Sequence, residues 1–191
     1  LISKGAVSIS KNKFIRTPFP IEAYIRSSKN KKIADPIQLP KQYILYLSRH
    51  DPRKGVNVLL HAAKILKNRG TLIPLLIGGT GELYLAHQRL SKKLGLDRWV
   101  TFMGFVPDAT QLMRHATIFC LPTLEEGAGA LIINEAMSYK LPIVTTLCDG
   151  IVEDIKNETS GLLVPMGNPQ ALARALERLI HSPSLRQKLS R

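Results

Sequence analysis

Beyond residue 42 the chain alternates short apolar runs with helix-length amphipathic stretches, and no other feature restricts its fold as much. The runs are YILYLS (43–48), LIPLLIG (72–78), WVTFMG (99–104), TIFCLP (117–122), PIVTT (142–146) and GLLVP (161–165). Between them lie VNVLLHAAKILKNRG, ELYLAHQRLSKKLG, DATQLMRHA, ALIINEAMSYK and the short IVEDIKN, and PQALARALERLIHS follows the last run. Strands this short and this apolar belong in a sheet covered on both faces, and regular strand–helix alternation makes the strands parallel. The expected fold is therefore an open, doubly wound α/β domain of about six strands over residues 43–182. Gly70 and Gly95 stand where helices should end, and Asp108 and Asn168 where they should begin. Residues 1–42 stand outside the rhythm and read as an approach segment from a neighbouring domain, and residues 183–191 read as a C-terminal tail.

Sheets of this kind bind ligands beyond the carboxyl ends of their strands, so the residues just after each run are the candidates. After the first run, SRHDPRKGVN brings Arg49, Arg53 and Lys54 next to a helix start, which suits a phosphate or diphosphate. Alone, that loop reads better as three solvated charges in a polar turn. Gly78, Gly79 and Gly81 in IGGTGEL let the backbone approach a ligand, although Tyr84 stands where a dinucleotide fingerprint needs its third glycine. Gly104, Phe105 and Val106 offer backbone groups and an apolar wall to a planar base, or form a packed turn.

The fourth strand leads into TLEEGAGALIINEAM, where Glu135 lies among Leu131, Ile132, Ile133, Ala136 and Met137. An unpaired buried carboxylate is costly. A helix starting near Gly129 tilts Glu135 back towards its amino end and the mouth of the sheet, where it can grip a ribose-like diol. Leu131, Ile132 and Met137 are then expected to pack the helix behind it. Glu125, Glu126 and the Gly127–Gly129 backbone would line the same mouth.

Bulk composition narrows the classes. The net charge of +13 is concentrated at the amino end, where residues 1–50 hold ten Lys or Arg against two Asp or Glu. That segment reads as a solvated stretch or as a surface facing anions, either phosphorylated ligands or acidic lipid headgroups. Aromatic residues are few and not interleaved with the basic ones, which argues against a nucleic-acid platform. Two cysteines, Cys120 and Cys148, fit a reducing cytoplasm better than a disulfide scaffold. The five histidines show no ligand spacing, so no structural metal is expected. The opening LISKGAVSISKNKF lacks both an initiating methionine and the apolar centre of a signal peptide, and reads as the middle of a longer chain.

Taken in order, LSRHDPRKGVNVLLHAAKIL, LLIGGTGEL, LGLDRWVTFMGFVPD, IFCLPTLEEGAGALIINEAMSYKLPIVTT, GIVEDI and SGLLVP cover roughly residues 42–182. This set resembles the C-terminal, Rossmann-like donor-binding domain of GT-B retaining glycosyltransferases of the nucleotide-sugar-dependent, group 1 type. The resemblance implies that Arg49 and Lys54 hold the donor's diphosphate, that Glu135 holds the ribose, and that Glu126 contacts the transferred sugar. It further implies that Gly79, the Gly104–Phe105–Val106 backbone and the Gly127, Ala128, Gly129, Ala130 and Leu131 stretch surround the donor. One departure stands out: the family places seven residues between its two glutamates, whereas eight separate Glu126 from Glu135 here. The register position falls on Gly127, so either a one-residue bulge restores Glu126 or the glycine backbone takes its role. Tyr139 and Lys140 stand where relatives carry small residues.

The implied activity is hexosyl transfer from a nucleotide-diphosphate sugar with retention, needing no cofactor and no metal. Implied partners are that sugar donor and an acceptor-binding amino-terminal domain not contained in these residues, with peripheral contact at an anionic membrane and a cytoplasmic location. Such a domain alone would bind donor without turning it over. The competing readings are a non-catalytic nucleotide- or anion-binding module, and a basic nucleic-acid-binding domain.

Overall fold

A computed structural model describes residues 39–126 and 130–190 of the chain. Six strands form one sheet: β1 (Ile44–Leu47), β2 (Leu75–Gly78), β3 (Val100–Gly104), β4 (Ile118–Leu121), β5 (Ile143–Thr146) and β6 (Leu162–Val164). Every pairing is parallel and the order is β3-β2-β1-β4-β5-β6. β1, β2, β4 and β5 are buried along their whole length, as their unbroken apolar character requires. β2 begins three residues later than its apolar run because Pro74 has no N–H for the ladder. Its carbonyl instead accepts from Ile44 N–H, and Leu75 N–H donates to the Trp99 carbonyl.

The helices are α1 (Val56–Asn68), α2 (Tyr84–Lys93), α3 (Thr110–His115), α4 (Leu131–Ser138), α5 (Pro169–His181) and α6 (Pro183–Leu189). α1 and α5 pack together over the sheet, burying Leu59, Leu60, Leu66, Leu172, Leu176 and Leu179. Gly70 and Gly95 follow α1 and α2 with φ of 72° and 67°, the left-handed turn that ends a helix. Asn168 caps α5 through its side chain, and Asp108 accepts from Thr110 N–H at the start of α3.

Two local expectations fail. IVEDIKN makes only a single turn, anchored by buried Ile151 and Ile155, because Asn157 is drawn away to accept from Leu163 N–H. So short a segment gains too few bonds to offset nucleation. Residues 183–189, read as a tail, form α6 instead. Ser182 accepts from Leu185 N–H, Pro183 opens the helix, and Leu189 is buried against the core. Among the described residues, no helix is long and apolar enough to cross a membrane.

Candidate functional site

The sheet order reverses between β1 and β4, so the loops after those strands part around a crevice. A hollow of about 740 Å³ opens there. Leu47 to Arg49 line it from β1, Gly78 to Gly81 from β2, Phe105 to Ala109 from beyond β3, and Ile132 and Glu135 from α4. Arg49, Gly79, Phe105, Val106 and Glu135, singled out on sequence grounds, thus share one wall-to-wall space. Phe105 is 75% exposed, an unusual state for a large aromatic and one suited to a planar ligand.

The glycine turn after β2 has a steric cause. Gly79 has φ of 123°, and a Cβ built on it would stand 1.8 Å from the Ser48 carbonyl oxygen. Only glycine lets the β2 turn lie against the β1 turn. Gly79→Ala is expected to cost at least about 2 kcal/mol in chemical denaturation, from left-handed strain plus the displaced backbone. A loss below about 0.5 kcal/mol would show that the two turns are not packed in this way.

Lys54 departs from expectation. It is not among the residues lining the hollow; its ammonium is ion-paired with Glu126, and both side chains are largely buried at 18% and 10% exposure. Opposite charges withdrawn from water pair rather than stay free. The Thr123 hydroxyl lies 3.2 Å from the same Glu126 oxygen and 3.0 Å from the Arg53 carbonyl, and Leu124 N–H donates to that carbonyl. Gly55 lies so close to β4 that a Cβ there would fall 1.8 Å from the Pro122 carbonyl oxygen. The loops after β1 and β4 are therefore stitched together. Glu125 is exposed while Glu126 is turned inward, so the inward carboxylate of the pair is Glu126 despite the extra residue before α4.

Asp51 caps the 3-10 turn Pro52–Lys54 by accepting from Arg53 N–H. Arg53 itself is 56% exposed and its 3.4 Å contact with Asp51 adds little. Tyr46 donates its hydroxyl towards the Arg49 and Lys54 carbonyls, at 3.2 and 3.3 Å, which holds this loop from beneath.

Glu135 stands little more than one turn into α4, half-buried at the hollow. Burial pushes its carboxyl above the ordinary carboxylate range, and the Asp108 carboxylate, which lines the same hollow, adds to the rise. The packing behind it differs from expectation. Leu131 and Met137 are exposed at 56% and 36%, whereas Ile133 and Ala136 form the buried face and Ile132 lines the hollow. The helix is rotated so that its i and i+3 positions meet the sheet. Gly104, Ala130 and Leu131 do not line the hollow: the Gly104 carbonyl accepts from Gly79 N–H, and Ala130 is buried. Gly127, Ala128 and Gly129 lie outside the described residues, as do residues 1–38. Sequence reading missed Ser48, Thr80 and Asp108 as lining residues; the available signal was that Ser48 and Thr80 stand within two residues of a strand end and Asp108 in the loop from β3 to α3.

A family model described as glycosyl transferases group 1 matches residues 27–191. Among curated proteins, the phosphatidyl-myo-inositol mannosyltransferase of Mycobacterium leprae is 34% identical over 148 residues, covering 76% of this chain and 39% of its own. The chain spans about two-fifths of the length of the curated relatives it matches. Among solved structures, HepE of Anabaena in complex with UDP matches with a TM-score of 0.72 at 22% identity, over 78% of this chain and 41% of its own. The C-terminal domain of a group 1 family glycosyl transferase from Francisella tularensis matches with a TM-score of 0.70 at 24% identity, over 79% of this chain and 81% of its own. These two likenesses carry the fold.

Proposed function

This chain belongs to the glycosyl transferases group 1 family, and on that premise we propose that it binds the nucleotide-diphosphate sugar of a retaining hexosyl transfer. The carrying observation is that Arg49 and Glu135 line one hollow with Phe105 and Val106. Its volume suits a ligand of nucleotide size. In this reading the base lies on Phe105 and Val106, the ribose hydroxyls donate to Glu135, and the diphosphate meets Arg49. Lys54 exchanges Glu126 for the diphosphate, which frees the Glu126 carboxylate for the sugar. UDP in the HepE structure illustrates the class of occupant.

The chemistry follows from charge. As the glycosidic bond breaks, negative charge grows on the leaving diphosphate, and cations already in place lower that barrier. Arg49 and Lys54 supply them, so the reaction needs no metal. The acceptor site belongs to the part of the enzyme beyond this chain, which on its own binds donor without transfer. The enzyme works in the cytoplasm, in peripheral contact with an anionic membrane surface through basic segments.

A thermal-shift panel of UDP-, GDP- and ADP-sugars tests the reading. A sugar nucleotide present at about 100 times its dissociation constant adds about 2.7 kcal/mol. For a domain of this size that raises Tm by about 5–10 °C. A panel in which no sugar nucleotide shifts the transition would sink the assignment.

A further inference from the structure

Beneath the Arg49 loop lies a polar pair for which the proposed chemistry has no use. His50 and His87 are 0% and 2% exposed, and their Nδ1 atoms stand 3.0 Å apart. One ring must donate and the other accept, so at least one imidazole has to keep a bare Nδ1. Tyr46 of β1, Tyr84 and His87 of α2 and Phe102 of β3 face the His50 ring, with centroids 5.0–6.2 Å away. Of these ring contacts, Tyr46, Tyr84 and His87 are titratable, and the buried Asp51 carboxylate, next in the chain, accepts from Arg53 N–H and pairs with the Arg53 guanidinium. His50 Nε2 is buried and has no hydrogen-bond partner among the described residues.

The backbone of the same residue joins two walls of the hollow. His50 N–H donates to the Thr80 carbonyl and its own carbonyl accepts from Leu83 N–H, each at 2.9 Å. Gly81 packs so closely that a Cβ would stand 2.6 Å from the His50 carbonyl oxygen. The residue that follows Arg49 in the chain is thus bolted to the Gly78–Gly81 turn by its main chain, and to α2 by its ring.

We propose that the His50–His87 pair is a positioning device that holds the Arg49 loop and the glycine turn in register, and that it makes ligand binding in the hollow acid-sensitive. The second clause rests on reading the hollow as a nucleotide site; the first does not. Burial, with the neighbouring His87 adding to it, lowers His50 to about 4, and burial lowers His87 as well. The sign follows from linkage: the folded form binds fewer protons than the unfolded one between the ordinary value of about 6.5 and that lowered value. The contribution of the pair is complete above this window and is lost as pH falls through it.

The test uses the 191-residue chain with His50→Leu, His87→Leu and the double variant, at about pH 7.5 and about pH 5. Hydrogen exchange of the His50 and Leu83 amides reads the first clause without any ligand. Wild-type protection there should fall about tenfold on acidification while that of Phe119 in β4 holds, and the double variant should show no selective fall. Either single variant should lose protection at the higher pH, because it strands a buried nitrogen, and the double should recover it. Equal falls in wild type and double variant would overturn the proposal. His87→Asn keeps a hydrogen-bonding group near the Nδ1 position and removes one titrating ring, so its fall should be the smaller; a fall equal to wild type overturns the proposal even where the leucine pair does not fold. The second clause is read from the dissociation constants of UDP and GDP. Wild type should lose at least about threefold more affinity than the double variant over the same pH drop, and matched losses would refute it. If neither nucleotide binds wild type at the higher pH, the proposed function and this second clause fail together, and the exchange data still decide the first.

Discussion

Lys54→Ala is expected to reduce the stability of this chain by about 2 kcal/mol and the turnover of the full-length enzyme at least about tenfold. The two losses have different origins. Removing the ammonium leaves Glu126 as a largely buried carboxylate whose one remaining side-chain partner among the described residues is the Thr123 hydroxyl. Breaking a fully buried pair costs about 3–5 kcal/mol, and the remaining exposure of Lys54 and Glu126 reduces that. Under the proposed function, the loss of turnover would come from the missing cation at the leaving diphosphate. Pairing Lys54→Ala with Glu126→Ala separates them: the double variant should regain most of the stability, because no charge is stranded, and regain none of the turnover. Denaturant titrations of the four proteins give the first readout and steady-state kinetics the second. Turnover unchanged in Lys54→Ala would remove the lysine from the chemistry.

Glu135→Gln should separate stability from binding in the opposite way. The Glu135 carboxyl is held above its ordinary range by burial and then by Asp108, so the ionised form is unfavourable in the unliganded fold. A group whose folded value is raised contributes stability below its unfolded value and loses it as pH rises through the folded one. At neutral pH the charge is therefore a cost to the empty domain, and glutamine removes it. The variant should melt at or above the wild-type temperature at pH near 7. Hydrogen bonds to a charged acceptor contribute about 1.5–3 kcal/mol, so nucleotide affinity should fall at least about tenfold. A variant that melts lower and binds as well as wild type would place Glu135 in the packing and not in the ligand site. Acid should act on the wild-type carboxylate as glutamine does, weakening the nucleotide as pH falls towards the raised carboxyl value.

Much of the fold was legible because it depends on local periodicity. Each of the six apolar runs became a strand, and each helix of two turns or more stands where an amphipathic stretch preceded or followed a strand. The exceptions were places where local signals compete. Pro74 shortened β2, IVEDIKN was too short to nucleate, and Ser182-Pro183 started a helix where only a tail was expected. The rotation of α4 was also misread. An apolar run of Leu131, Ile132 and Ile133 offers several faces to a core, and only the sheet beneath selects Ile133 and Ala136.

Taken alone, the order of residues determined that a parallel sheet would form and that Arg49, Phe105, Val106 and Glu135 would stand just beyond the ends of its strands. Those are consequences of spacing along one chain. The close approach expected of Gly79 was to a ligand, and the structure shows one to the Ser48 carbonyl. What the tertiary structure decided is which of these groups satisfy one another. Lys54 meets Glu126 across 72 positions and His50 meets His87 across 37, because β1 lies between β2 and β4 and their following loops converge. Periodicity tells which face of an element is buried, but it does not carry the partner of a charge, and in a medium of low polarisability the partner decides whether that charge is free for a ligand.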